Sequence, residues 1–286
     1  MTIGQNASTA KAVLIAAAVL ATPAVAWAGP GDLYYERAFV VAADARCGLF
    51  GEPVEQALAV AAAQARGAAL RSGAAEADLR AVADRARARA AAVSCRDPEL
   101  AVVRQRVDGA FAGWARTPRM TFPGETRHWI ADRTAWSRAG WRLKQMSRTG
   151  AAPVTFGYAA ATDPSALTAV VSFVGKSRPY AARLVFRDEG KAPRAWTSGD
   201  GLAPAASRTS VWATGVKAAD PALLDEGRRT GEAWRFPASA ADGLARLDPR
   251  ETFLVEFHFR DGSIARARFE AGDFAAGRAF MAMGAL

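Results

Sequence analysis

TFLVEFHFRDGSIARARFE, residues Thr252–Glu270, is the stretch whose reading decides the class of fold. Apolar and polar residues alternate on both sides of Asp261-Gly262, the pattern of two half-buried strands around a tight turn. A two-residue loop would set Val255 and Phe257 against Arg268 and Arg266 and mix the faces. A three-residue loop, Arg260-Asp261-Gly262 with Gly262 left-handed in a bulge, removes the conflict. It pairs Phe253 with Phe269, Val255 with Ala267 and Phe257 with Ala265, and it sets Glu256 opposite Arg266. One face is then apolar and the other carries a charge pair. The spacing therefore predicts a bulged hairpin, followed by a short helix over Phe274–Met283 that Asp273 caps.

Working outward from the hairpin, residues 151–286 read as β-rich. Val154–Tyr158, Leu167–Val174, Ala182–Arg187 and Val211–Thr214 are short and rich in β-branched or aromatic residues. Residues 118–150 form a connecting region rich in Arg, Trp and turn residues, with a strand beginning around Trp141–Met146. Before it the period changes. Tyr34/Ala38/Val41/Ala45, Val54/Leu58/Ala61/Ala65, Leu79/Val82/Ala86/Ala90 and Leu100/Val103/Val107/Trp114 each line one face of a helix. Pro53 and Pro98 suit first-turn positions, Asp97 caps the last helix, and Gly51 and Gly73 mark helix ends. Glu76 and Arg80 stand four apart in the favourable order. The expected fold is α+β: a helical bundle over 29–117, the connecting region, then a mostly antiparallel sheet or sandwich with a short C-terminal helix.

Cys47 and Cys95 test the bundle. They fall at the end of the first helix and just past the third, ends that lie on the same side of an up-down-up-down bundle. Ends of opposite polarity would stand about 25–30 Å apart, beyond disulfide reach. A bridge would close a loop of about 49 residues and stabilise by roughly 4 kcal/mol through loop-closure entropy. The N-terminus agrees with an oxidising compartment. Lys11, the apolar run Ala12–Ala21, Pro23 and the small-residue series Ala24–Ala28 follow the order of a secretory signal, with cleavage expected after Ala28. The apolar run is shorter than the roughly 20 residues a membrane span needs. The expected location is the periplasm, with no membrane span after cleavage.

The formal charge is +9, and removing 1–28 with its single Lys leaves +8. Such a chain is drawn to polyanions, although Arg, Ala and Gly usage also fits a GC-rich genome and a diffuse, solvated surface. Export removes nucleic acid as a partner. With two histidines, His128 and His258, no H-E-x-x-H zinc site can form. No nucleophile elbow, phosphate loop, dinucleotide fingerprint or calcium loop occurs, so no metal and no cofactor is expected. His258 reads as a half-exposed strand residue on the face of Leu254 and Glu256. His128 has Glu125 and Asp132 nearby, a set that acid–base chemistry could use. The most suggestive binding feature is the Arg/Trp interleaving of Arg127, His128, Trp129, Arg133, Trp136 and Trp141. Arg forks onto carboxylate or phosphate and Trp stacks, which suits an anionic glycan, a lipid headgroup or an acidic envelope protein. The alternative is that the tryptophans plug the joint between helices and sheet while the arginines snorkel outward. Lys176-Ser177-Arg178-Pro179-Tyr180 reads as a basic connecting loop.

The segments GDLYYERAF (Gly31–Phe39), SCRDPEL (Ser94–Leu100), LDPRETFLVEFHFRDG (Leu247–Gly262) and GDFAAGRAF (Gly272–Phe280) resemble those of uncharacterised exported proteins of Gram-negative bacteria, which lend no activity. The C-terminal half also looks like the invasion-associated locus B family of periplasmic β proteins, in its Trp-led strand near Trp141, late strand–turn–strand and closing small residues with Phe. That family keeps cysteines in this region, whereas this chain has none after Cys95, and no residue roles carry over. The expectation is a non-catalytic periplasmic binding or interaction protein of the cell envelope. The alternatives are an envelope hydrolase with an unrecognised carboxylate site, or an inhibitor or chaperone-like module.

Overall fold

The computed structural model describes residues 29–134, 139–160, 165–173, 175 and 178–286. The expected leader, 1–28, lies outside these residues, as do Trp136, Lys176 and Ser177. Four helices come first: α1 (Pro30–Cys47), α2 (Glu52–Arg71), α3 (Glu76–Ala92) and α4 (Pro98–Ala115). Pro30, Pro53 and Pro98 sit in first turns, where no N–H is required. Asp97 caps α4 by accepting from the Glu99 N–H at 2.9 Å. Tyr34 near the start of α1 packs with Leu79 near the start of α3 and with Leu70 at the end of α2, while Ala43 and Ala90 meet at the opposite end. Hence α1 and α3 run parallel and α2 runs against them. That brings Cys47 and Cys95 together, with Cα atoms 5.5 Å apart in a disulfide. Buried Asp44 turns the chain beside it, accepting from the N–H groups of Leu49 at 2.7 Å and Phe50 at 2.9 Å.

The remainder is antiparallel β-structure with two more helices. In chain order it is β1 (Arg119–Phe122), β2 (Trp129–Asp132), β3 (Trp141–Thr149), β4 (Ala152–Ala159), β5 (Leu167–Val171), β6 (Ala181–Arg187), β7 (Arg208–Trp212), β8 (Gly215–Ala218), β9 (Glu232–Phe236), α5 (Ser239–Ala245), β10 (Thr252–His258), β11 (Ile264–Glu270) and α6 (Phe274–Ala282). One sheet has the order β1-β2-β3-β4-β5-β9-β8 and the other β11-β10-β6-β7. The Arg- and Trp-rich stretch before residue 150 thus supplies three strands of the larger sheet. The β10–β11 register is the one the bulged turn requires, including Glu256 opposite Arg266, and Gly262 has φ 82°.

The sheets pack face to face, and the chain joins them at both seams. At one, the segment from β7 to β8 passes between sheets: Ala213 N–H still donates to Ala182 of β6, and Thr214 N–H already donates to Arg235 of β9. At the other, the Gln145 side-chain amide imitates a strand, accepting from the Glu270 N–H at 2.8 Å and donating to its carbonyl at 3.2 Å. Phe156 centres the interior, with Phe253 and Phe269 each 5.4 Å away. Large rings from both sheets fill the space between them, which makes this a packed core.

The helical layer joins the sheets through α6, which lies against β1, β2 and β3 and against α2. Two sequence expectations are corrected at this joint. Asp273 sits before α6 as expected but makes no cap bond. Its carboxylate is buried and takes Arg71 of α2. Burial pushes the Asp273 carboxyl above its ordinary range against the pull of Arg71. Gly67 must lack a side chain here, since a Cβ would fall 2.0 Å from Asp273 Oδ1. Glu76 pairs with Arg66 across to α2 and not with Arg80 one turn on. The cross-helix partner is partly buried and so less screened than an exposed i,i+4 contact. Among the described residues no helix is long and apolar enough to cross a membrane.

Candidate binding groove

Strand order β11-β10-β6-β7 builds a row of side chains on the outer face of the smaller sheet. Trp212 lies opposite Arg183, Arg183 opposite Glu256 and Glu256 opposite Arg266. Directly opposed residues on one face stand about 5 Å apart at Cβ, so the four form a continuous strip. Arg183 and Arg266 each donate Nε–H to a different oxygen of Glu256, both at 2.8 Å. Arg183 also lies over the Trp212 ring, 5.3 Å from its centroid. Trp212 is 50% exposed and Tyr180 58%, and the His258 ring lies between them, 5.2 Å from Trp212 and 6.5 Å from Tyr180.

Next to this strip is a groove of about 560 Å³. Its floor is Val185 and Leu254, both buried. Its far wall is the connection from β6 to β7, through Leu202 and Ala205, together with Arg208 at the start of β7. Arg268 flanks it and pairs with Asp200. Four guanidinium groups (Arg183, Arg208, Arg266, Arg268) therefore face two carboxylates, Glu256 and Asp200, and both carboxylates are already bonded.

The electrostatics favour fixed charge over proton transfer. Burial raises the Glu256 carboxyl, but the hydrogen bonds and charges of Arg266 and Arg183 outweigh it and hold the group below its ordinary range. Burial lowers the His258 imidazole, and the Arg183 charge lowers it further against the opposing pull of Glu256 3.6 Å away. The groove thus offers a carboxylate held toward its ionised form by two arginines, and four guanidinium groups, while the His258 imidazole on the adjoining strip is held toward its neutral form. That arrangement has more cations than carboxylates. It lacks the paired, differently tuned acid and base that hydrolysis by carboxylates uses. Among the described residues no three of His, Cys, Asp and Glu converge as metal ligands would.

The residues singled out from sequence lie elsewhere. Trp129 is fully buried, with Nε1–H donating to the Ala271 carbonyl at 2.9 Å and the ring 4.9 Å from Phe274. Arg133 is buried too. Its fork donates to the carbonyls of Ala115 at 3.0 Å, Met283 at 3.1 Å and Gly284 at 2.8 Å, and its head covers Phe280. It therefore binds the chain ends that follow α4 and α6, where backbone carbonyls lack helical partners. Arg127 is half-exposed beside Glu270, 3.5 Å away, and His128 is exposed. Trp141 is half-buried at a different place, donating to the Leu223 carbonyl at 3.1 Å. Trp136 is outside the described residues. Cys47 and Cys95 are at the far end of the bundle. The groove residues Arg183, Arg208 and Arg268, and Trp212 on the adjoining strip, were not singled out. The signal for one of them was present: alternation in Ala181–Arg187 puts Arg183, Val185 and Arg187 on one face. Comparison with known proteins finds no matching family model, no similar curated protein and no similar solved structure.

Proposed function

We propose that this chain is a non-catalytic binding protein of the cell envelope, exported to the periplasm, whose outer-sheet groove takes an acidic glycan. The observation that carries the reading is the excess of guanidinium groups over carboxylates around the groove, next to an exposed indole. Arginine forks match carboxylate or sulfate oxygens in pairs. A flat aromatic face in line with them accepts the C–H face of a sugar ring, which favours a glycan over a simple inorganic anion. The disulfide between Cys47 and Cys95 and the leader-like 1–28 support a compartment in which thiols oxidise.

The test is titration calorimetry of residues 29–286 with a galacturonic acid oligomer and, separately, with the matching neutral galactose oligomer at low salt. The acidic oligomer should bind and weaken as salt rises, and the neutral one should bind at least about tenfold more weakly, a gap of about 1.4 kcal/mol. Arg268→Ala and Trp212→Ala should each reduce binding of the acidic oligomer. Equal binding of both oligomers, or none of either, would remove this function.

A further inference from the structure

A second basic cavity, of about 660 Å³, opens between the start of α3, the end of α5 and the β6–β7 connection. Its carboxylates are already occupied. Glu76 takes Arg66, Glu189 takes Arg246 at 2.7 Å, and Asp248 takes Arg250 at 2.8 Å. Behind them buried Glu251 takes Arg187 at 2.5 Å. Arg80 and Arg194 also line the cavity, and no carboxylate among the described residues lies within ion-pair distance of either. The cavity therefore carries two uncompensated cations. The first turn of α3, which begins on Ala75 without a side-chain cap, faces the same space and adds partial positive charge.

The cavity and the groove share a wall. Residues 188–207 contribute Leu202 and Ala205 to the groove and Arg194 and Thr197 to the cavity. At the base of that wall Arg187, which lines the cavity, is the direct cross-strand partner of Arg208, which lines the groove. Two positively charged depressions on either side of one wall suit a ligand with repeating charge better than a small anion. Building on the function proposed above, we infer that the cavity at the start of α3 is a second anion subsite, and that groove and cavity take separate stretches of a single polyanionic chain that passes over the shared wall.

Bridging two subsites makes affinity depend on ligand length, because the second contact forms at high effective concentration. The probes are a galacturonic acid disaccharide and an oligomer of about ten units, titrated into residues 29–286. The long oligomer should bind at least about tenfold more tightly than the disaccharide. Arg80→Glu/Arg194→Glu should erase that gain and leave the disaccharide unchanged, whereas Arg268→Ala should weaken both. Arg80 and Arg194 are exposed and unpaired, so the double variant should keep its melting temperature, and Arg80→Ala/Arg194→Ala serves as a milder copy. If neither double variant weakens the long oligomer, the second subsite is wrong while the groove stands. If wild type binds neither length, both readings fall together. If a glutamate peptide shows the length gain and the uronic oligomer does not, the glycan assignment is overturned.

Discussion

The buried pair Arg187–Glu251 lies under the wall between the two cavities, and removing either member should unfold much of that wall. The two side chains are 4% and 1% exposed. Arg187 donates Nε–H at 2.5 Å and an Nη–H at 2.9 Å to separate oxygens of Glu251. Glu251 also accepts the Trp196 N–H at 3.1 Å and the Asp248 N–H at 2.9 Å. Glu251→Ala leaves a buried guanidinium with the Ala192 carbonyl at 2.7 Å, and it strands two backbone donors. Breaking one side of a buried pair costs about 3–5 kcal/mol. The same range holds for Arg187→Met, which leaves the carboxylate with neutral donors alone. Arg187→Met/Glu251→Met removes both charges, so its cost should fall short of the sum of the singles by about 2–3 kcal/mol. Some loss should persist because the Trp196 and Asp248 N–H groups stay unpaired, at about 1–3 kcal/mol each. Urea unfolding of the four proteins closes the cycle. Additivity within about 0.5 kcal/mol would show that the two side chains do not act as a pair and would refute the reasoning.

Cys47→Ala/Cys95→Ala should cost about 4 kcal/mol, from a loop whose ends are 48 residues apart; a loss under about 1 kcal/mol by urea titration would mean that the bundle holds its own ends together. Stability should also fall in two steps as pH drops. Burial and the Arg183 charge hold His258 below the ordinary imidazole value of 6.5, so the unfolded chain takes up that proton first and stability declines from about there downward. Glu256 is held below 4.5, so its contribution is present above that pH and is lost as the pH falls through the folded value. In a series of melting temperatures, His258→Phe should flatten the first limb and Glu256→Gln the second; unchanged limbs in both variants would disconnect these groups from the acid response.

The hairpin was legible because only one loop length aligns Phe253, Val255 and Phe257 with apolar partners while giving Glu256 a cation. The disulfide was legible because helix polarity restricts which ends can meet. Other elements gave no such constraint. In β2 the pattern is inverted, with Ile130 exposed and Ala131 buried, so hydrophobicity does not report which face is inside. In β8 all four residues are exposed, and the strand exists because β9 offers it an edge. α5 is seven residues of mostly small side chains, too short for a period to emerge. The groove was the least legible feature. Arg183 meets Glu256 across 73 residues of sequence, and only the order β11-β10-β6-β7 places them side by side. The Arg/Trp interleaving before residue 150 pointed to a ligand, but Trp129 and Arg133 spend their polar groups on backbone carbonyls at the joint.

That the groove is preformed follows from how its wall is tied down. The β6–β7 connection is long, and a long irregular segment in a compact domain costs ordering entropy unless it is anchored. Here Thr252 N–H donates to the Gly201 carbonyl at 2.9 Å, and the Thr252 hydroxyl donates to the Asp200 carbonyl at 3.0 Å. Asp200 accepts the Leu202 N–H and pairs with Arg268. Gly201 takes φ 72° where a Cβ would stand 2.5 Å from the Arg250 carbonyl oxygen, so the chain can press onto β10 only with glycine there. Farther along, Trp196 N–H is held by Glu251, and the Lys191 ammonium donates to the Arg208 carbonyl at 3.1 Å. These bonds fix the wall before any ligand arrives. On the proposed function, a ligand would meet guanidinium groups whose backbone is already in place, and little of the contact energy would go into ordering the protein. The same anchors hold the groove's charges in place: Glu256 and Asp200 are both bonded inside the fold, so what a ligand of the proposed kind would meet there is the guanidinium groups.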